Sequence, residues 1–162
     1  MANDYLATYL NDHLAGATMG VELLKHLRKK HDDQAAADVL AQLHLDVEQD
    51  RNTLKAILAR AGIKESEPRK AAGWMADKAA QAKLHLDDPK GGALAKYEML
   101  ETMSLGIEGK RSLWTALDTA AVGVPNIREF DLGELKRRAE AQRSILEKLR
   151  LLAAVEAFTT RS

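Results

Sequence analysis

Two stripes of apolar residues, with steps of three and four, run through the first part of the chain. The first consists of Leu6, Leu10, Leu14, Ala17, Val21, Leu24 and Leu27, and the second of Leu40, Leu43, Val47, Leu54 and Leu58. Such steps predict two long helices, one over about residues 4 to 30 with Asn3 as its cap, and one that closes at Gly62. The polar sequence KKHDDQ between them predicts a turn, after which Asp32 or Asp33 caps the second helix.

The second part of the chain carries two further stripes. One consists of Tyr97, Leu100, Met103, Ile107, Trp114 and Leu117, and the other of Leu135, Ala139, Leu146, Leu149 and Ala153. The former predicts a third helix that begins near Ala93 and stops before Gly123 and Pro125. The latter predicts a fourth helix that Asp131 caps and that continues toward Phe158.

The segment between these two pairs of helices has a different pattern. Helix-starting and helix-ending residues flank it, namely Ser66, Pro68, Pro89, Gly91 and Gly92. They predict one short helix over about residues 67 to 85, which contains Trp74. The pattern therefore predicts four long helices, with short loops within the first and second pairs and a long crossover between the pairs.

These helices predict one all-α domain over residues 1–162, with two antiparallel hairpins at about 4 to 62 and 93 to 158 joined by the long crossover. The sequences VEQDR at 47–51 and AEAQR at 139–143 place Glu-x-x-Arg on the second helix of each hairpin. The chain resembles the ferritin-like four-helix bundles, and phrases such as YLNDHLAG and GIEGKRSLW look like those of an uncharacterised bacterial group within that superfamily. The resemblance implies a ferritin-like bundle and supplies no activity.

In ferritin-like metal sites, a Glu-x-x-His motif supplies a carboxylate and an imidazole from one helix. The resemblance maps Glu48 and Glu140 onto the carboxylates, whereas Arg51 and Arg143 stand at the histidine positions. A guanidinium stays protonated and has no lone pair to offer a cation, so these arginines argue against an intact di-iron centre.

Some of the arginines are predicted to point into the bundle. On a helical wheel of 100° per residue, Arg51 falls within about 20° of Leu40 and Leu58, which lie on the core stripe. Arg111 is similarly central in the third helix. Because an unpaired buried charge is costly, these guanidinium groups need partners.

Antiparallel register within each hairpin supplies such partners. It places Glu108 opposite Arg143 in the second hairpin. It also places Arg111 opposite Glu140. With the first hairpin included, we predict a buried polar network that replaces the metal site and consists of Asp12, His13, Glu48, Arg51, Glu108, Arg111, Glu140 and Arg143.

The interior of the bundle could contain either an ion-pair layer or a metal site, and each alternative predicts a different function. A bundle with an ion-pair layer predicts a non-catalytic protein without a cofactor, whose role is ligand binding or protein interaction. The alternative is a metal-dependent oxidase or an iron-handling protein, because iron, manganese or zinc would accept inward oxygen and nitrogen ligands. The candidate ligands are His13, His44, Glu48, Asp50, Glu101 and Glu108.

Small residues stand beside His13 on the first helix, at Gly16, Ala17 and Gly20. Small side chains let a neighbouring helix approach closely. We therefore predict close packing at this position and no ligand cavity.

Composition narrows the classes of function. The 24 basic and 24 acidic residues cancel and are interspersed, so the chain lacks the positive field of a non-specific nucleic-acid binder. Cysteine is absent, which excludes disulfides, thiolate nucleophiles and zinc ribbons. No stretch approaches the length of an apolar membrane span, and MANDYLATYLNDHLAG lacks the pattern of a signal peptide. These features predict a cytoplasmic protein that binds neither nucleic acid nor membrane.

Two apolar segments are candidates for self-association. One is the crossover, where Trp74 and Met75 are neighbours, and the other is the sequence LLAAVEAF at residues 151–158. Aromatic and aliphatic anchors of this kind are common at interfaces. A homodimer through one of these segments is therefore predicted.

Overall fold

The structure is a computed structural model that describes residues 3–29, 33–66, 77 and 92–159. These residues form four long α-helices, and no strand occurs among them. The helices are α1 (Asp4–Lys29), α2 (Gln34–Arg60), α3 (Gly92–Ala120) and α4 (Leu132–Thr159), with a 3₁₀ turn at Pro125–Ile127. The all-α, four-helix prediction is confirmed. The predicted short helix over residues 67 to 85 lies outside the described residues.

The helix ends are fixed by the residues that the sequence indicated. The carboxylate of Asp33 accepts hydrogen bonds from the backbone N–H groups of Ala35 and Ala36, at 3.3 and 3.2 Å. Asp131 accepts from the N–H of Glu134 at 2.8 Å at the start of α4. Such caps satisfy backbone donors that have no partner within the first helical turn. Gly62 follows α2 with a φ of 70°, which glycine adopts without a steric penalty.

Each helix has two neighbours in the bundle. The pairs α1–α2 and α3–α4 are the two hairpins, and α1 packs on α3 while α2 packs on α4. In consequence α2 and α3 face each other diagonally across the core. Ion pairs give the directions, since Arg60 at the end of α2 pairs with Glu129, which lies three residues before the start of α4. Farther back along α2, Gln49 accepts a hydrogen bond from Arg138 of α4. Thus α2 runs antiparallel to α4 and parallel to α3.

Among the described residues, the buried core is aliphatic apart from Trp114. Trp114 is fully buried, together with Leu10 and Leu24 of α1, Leu54 of α2 and Leu100 of α3. Their burial follows the apolar stripes, because helices that pack on two neighbours need an apolar face directed at both.

None of the helices within the described ranges is long and apolar enough to cross a membrane.

One apolar face of α4 is left uncovered by the described residues. Leu151, Leu152, Val155 and Phe158 are between 52% and 69% exposed. They belong to the segment LLAAVEAF, which the sequence singled out for self-association. A helix that is apolar on its inner and outer sides has a second surface available for contact.

Candidate functional site

A buried carboxylate lies at the middle of the bundle. Asp50 of α2 is 1% exposed. Its Oδ2 accepts hydrogen bonds from Lys110 Nζ at 2.7 Å and from Gln142 Nε2 at 2.9 Å. Its Oδ1 lies 3.0 Å from Arg138 Nη2. Asp50, Lys110, Arg138 and Gln142 are called the Asp50 cluster below, and they join α2, α3 and α4.

The members of the Asp50 cluster also bind one another. Lys110 Nζ donates to the amide oxygen of Gln142 as well as to Asp50. Arg138 donates to the side-chain oxygen of Gln49 at 3.1 Å. Burial lowers the pKa of Lys110 below its usual value, while the adjacent Asp50 carboxylate opposes that shift. Two acceptors, Asp50 Oδ2 and the amide oxygen of Gln142, compensate the Lys110 ammonium for the hydration that it loses on burial.

The sequence contains a signal for three members of this cluster in their spacing from apolar residues. Asp50 stands seven residues after Leu43 and seven before Ile57. Lys110 stands seven after Met103, and Gln142 stands seven after Leu135. Seven residues differ from two full helical turns by only about 20°, so each of these polar residues lies on the same helix face as its apolar neighbour. A heptad pattern therefore places three polar residues in one core layer.

The predicted network of eight residues is not one buried layer. In the second hairpin, Arg143 Nη1 lies 3.3 Å from Glu108 Oε2, and Arg111 Nη1 lies 3.9 Å from Glu140 Oε1, so the register brings both pairs together. However, Arg143 and Glu140 have side chains that are 50% and 61% exposed. The prediction of burial is wrong for these four residues, because they lie on the outer edge of the α3–α4 seam.

The first-hairpin members of the predicted network lie closer to the core. Arg51 is 20% exposed, and its Nη2 lies 3.4 Å from Glu48 Oε1 on the same helix. The ring of His13 packs edge-on against Tyr9, with centroids 4.6 Å apart. Asp12, His13 and Arg51 line the same cavity, described below, and no direct bond between these three is found within the described part of the chain.

The candidate metal ligands do not converge on one point, and several of them bind other side chains. His44 Nδ1 lies 2.8 Å from Arg28 Nη1, and Glu101 accepts a hydrogen bond from the Tyr97 hydroxyl at 2.9 Å. Asp50 is bound by the cluster. Within residues 3–29, 33–66 and 92–159, no three acidic or histidine side chains form a group that could hold a metal ion.

A cavity of about 410 Å³ lies between α1 and α3 and is partly open to solvent. Its walls are mostly apolar, with Leu23, Leu54, Met103 and Trp114 among the lining residues. The size is within the range of sites that hold small ligands, about 300–1,000 Å³. We call it the α1/α3 cavity. It is the candidate binding site.

The α1/α3 cavity exists because its two helices carry glycines where they face each other. A β-carbon added at Gly16 or at Gly109 would meet no atom of the described chain within 4 Å. Only at Gly20 does the other helix approach, with Met103 Cε 3.3 Å from such a β-carbon. The prediction of close packing in place of a cavity is therefore wrong at Gly16 and Ala17, which line the cavity, whereas Met103 does approach closely at Gly20.

Polar groups border the α1/α3 cavity on its inner side. Asp50 and Lys110 of the cluster line it, and so does Arg51. Two buried N–H groups there, Arg51 Nε and Trp114 Nε1, have no hydrogen-bond partner among the described residues. Burial lowers the pKa of His13, and the carboxylate of Asp12 opposes this to a smaller extent.

Known proteins give no further assignment. The sequence matches no protein-family model, and no curated protein or solved structure matches it. The α1/α3 cavity and the Asp50 cluster are therefore the features on which a function rests.

Replacement of Asp50 tests the cluster. We expect Asp50→Leu to lower the free energy of unfolding by roughly 3–5 kcal/mol, because it leaves Lys110 buried without a counterion. The double variant Asp50→Leu/Lys110→Met should recover much of that loss. Arg143→Met, which breaks an exposed ion pair, is the control and should change stability little. Urea denaturation measures the wild type, both single variants, the double variant and the control, and additive effects of Asp50→Leu and Lys110→Met would contradict the pairing.

The lowered pKa of His13 predicts a pH dependence of stability. The unfolded chain binds a proton at the usual pKa of 6.5, whereas the folded protein binds it only at lower pH. Between these two values the unfolded state holds more protons, so stability should fall as the pH drops below 6.5. His13→Gln should lessen this fall in thermal melts recorded at about pH 7.5 and 5.5. Equal pH dependence in both proteins would show that His13 titrates normally.

Proposed function

We propose that the protein is a non-catalytic binding protein whose ligand is a small, largely apolar molecule held in the α1/α3 cavity. The observation that carries the proposal is the cavity itself, which is of ligand size, apolar over most of its wall and bordered by a few polar groups. This combination is typical of small-molecule sites. Glycines on both facing helices keep the space free of side chains.

The rigidity of the surrounding core supports binding at a preformed site. The Asp50 cluster links three helices directly beside the cavity, through bonds of 2.7–3.0 Å around one carboxylate. A preformed cavity binds its ligand without the entropy cost of ordering the walls. In this proposal the Asp50 cluster holds the cavity wall in place and does not take part in a reaction.

The order and directions of the helices support membership of the ferritin-like superfamily as a further part of the proposal. In that arrangement a long crossover separates two helical hairpins. Here α2 and α3 run parallel, and residues 61 to 91 connect them. Under this proposal the Asp50 cluster occupies the interior in place of a metal site. A cytoplasmic setting stays a prediction from the sequence.

Filling the cavity tests the proposed function. We expect Gly109→Leu to lower the affinity for the neutral fluorescent probe N-phenylnaphthylamine by at least about tenfold, because a leucine side chain would occupy the space that the probe needs. Gly16→Leu fills the same space from the opposite helix and should act alike. Probe fluorescence is titrated for each variant.

The matched control is Ala116→Leu, which adds the same side chain at an exposed position of α3. It should leave the affinity for the probe unchanged. Equal binding to the wild type, Gly109→Leu and Gly16→Leu would show that the probe binds elsewhere, and the proposed site would then be abandoned.

We further propose a homodimer that buries the exposed apolar face of α4. Its support is the group Leu151, Leu152, Val155 and Phe158, which is more than half exposed in the single chain. Burying such side chains contributes about 25 cal/mol per Å² of apolar surface. The occupant proposed for this face is the same face of a second copy, as in a two-fold interface.

Sedimentation velocity tests the dimer. The wild type should sediment as a dimer, and Leu152→Glu should sediment as a monomer because a carboxylate would be buried at the interface. Leu45→Glu, at an exposed position of α2, is the control and should stay dimeric. A monomeric wild type would contradict the proposal.

A further inference from the structure

The α1/α3 cavity contains polar groups whose bonding capacity is unused. Trp114 is fully buried and borders the cavity, and its indole N–H has no partner within the described part of the chain. Arg51 also borders the cavity, and its Nε–H is buried without an acceptor. A buried donor without a partner loses its hydration and gains nothing in exchange. An acceptor on a bound molecule would remove this cost.

The acceptor groups that line the cavity, unlike these donors, are mostly engaged by other side chains. Asp50 Oδ2 accepts hydrogen bonds from Lys110 and Gln142, and Oδ1, which has no hydrogen-bond partner among the described residues, lies 3.0 Å from the Arg138 guanidinium in an ion pair. Two unpartnered donors, on Arg51 and Trp114, therefore stand against one unpartnered acceptor that a cation already neutralises. A complementary ligand carries a hydrogen-bond acceptor rather than a donor.

The charge of Arg51 favours an anionic acceptor. Its guanidinium forms an ion pair with Glu48 at 3.4 Å, whose side chain is 40% exposed, and its charge also interacts with the exposed carboxylate of Glu22. Such a long and hydrated pair neutralises the cation only in part. A carboxylate on the ligand would bind a guanidinium more strongly than a neutral oxygen would. The Asp12 carboxylate borders the cavity beside His13, so it would repel an anion from that part of the wall.

We propose that the ligand of the α1/α3 cavity is an amphipathic monocarboxylate, whose alkyl part packs on the apolar wall and whose carboxylate accepts hydrogen bonds from Arg51 and Trp114. This inference rests on the proposed binding function and specifies its ligand class. The apolar wall, formed by side chains such as Leu23, Leu54 and Met103, suits an alkyl chain.

Three probes that share one alkyl chain test the inference, namely decanoate, decanol and decylamine. Each is titrated calorimetrically into the full chain below its micellar concentration. Decanoate should bind at least about tenfold more tightly than decylamine, with decanol between them, since only decanoate offers charged acceptors to both donors. Gly109→Leu should weaken the binding of all three.

Variants of the donors separate headgroup recognition from cavity binding. Trp114→Phe keeps a buried ring and removes the N–H, and Arg51→Met keeps a long side chain and removes the charge. Each should weaken decanoate by about three- to tenfold and leave decylamine unchanged or tighter. Arg143→Met, outside the cavity, is the control. Thermal melts check that every variant is folded.

The outcomes distinguish the two proposals. If all three probes bind equally, or if Arg51→Met and Trp114→Phe both keep the preference for decanoate, the carboxylate inference is wrong while the cavity remains a binding site. If none binds, or if Gly109→Leu has no effect on any of them, the cavity is not the site and both proposals fall.

Discussion

The carboxylate of Asp50 is the constraint from which the arrangement of the bundle follows. A carboxylate that is 1% exposed is no longer hydrated, so its negative charge must be neutralised by hydrogen bonds and ion pairs with other residues. Lys110 crosses the core from the diagonal helix to do so, and Gln142 and Arg138 approach from α4. Because these bonds have directions, they allow only one relative position of α2, α3 and α4. An aliphatic layer would tolerate sliding by a turn.

Helix α1 contributes no side chain to this cluster. Where it lines the cavity it carries the small residues Gly16, Ala17 and Gly20, which leave space beside the cluster. Its neighbour α3 has Gly109 on the facing side. Met103 of α3 approaches α1 at Gly20, and beyond this contact the two helices leave a space with a largely apolar wall. The proposed binding site therefore depends on the small residues that α1 and α3 carry there.

Two kinds of ion pair in this molecule show why position matters more than motif. The Glu-x-x-Arg spacing brings Glu108 to 2.6 Å from Arg111 and Glu48 to 3.4 Å from Arg51, as expected for residues three apart on a helix. Those pairs remain in contact with water, which screens them. Lys110 directly precedes Arg111 in the chain, yet its side chain turns inward to Asp50. Neighbouring residues on a helix point about 100° apart, so the ion pair of Lys110 with Asp50 is buried while that of Arg111 with Glu108 remains solvated.

The sequence by itself determined the helices, their caps and the register of the second hairpin. Periodic apolar stripes, Asp33 and Asp131 at helix starts and Gly62 at a helix end act locally, so a chain pattern is enough to find them. It also held the heptad spacing of Asp50, Lys110 and Gln142. Only the tertiary structure decided which charges are buried, because several charged residues lie near an apolar stripe and their exposure depends on where the neighbouring helices pack. It likewise decided that glycines leave a cavity rather than a close contact, since the separation of two helices depends on side chains such as Met103 from both of them.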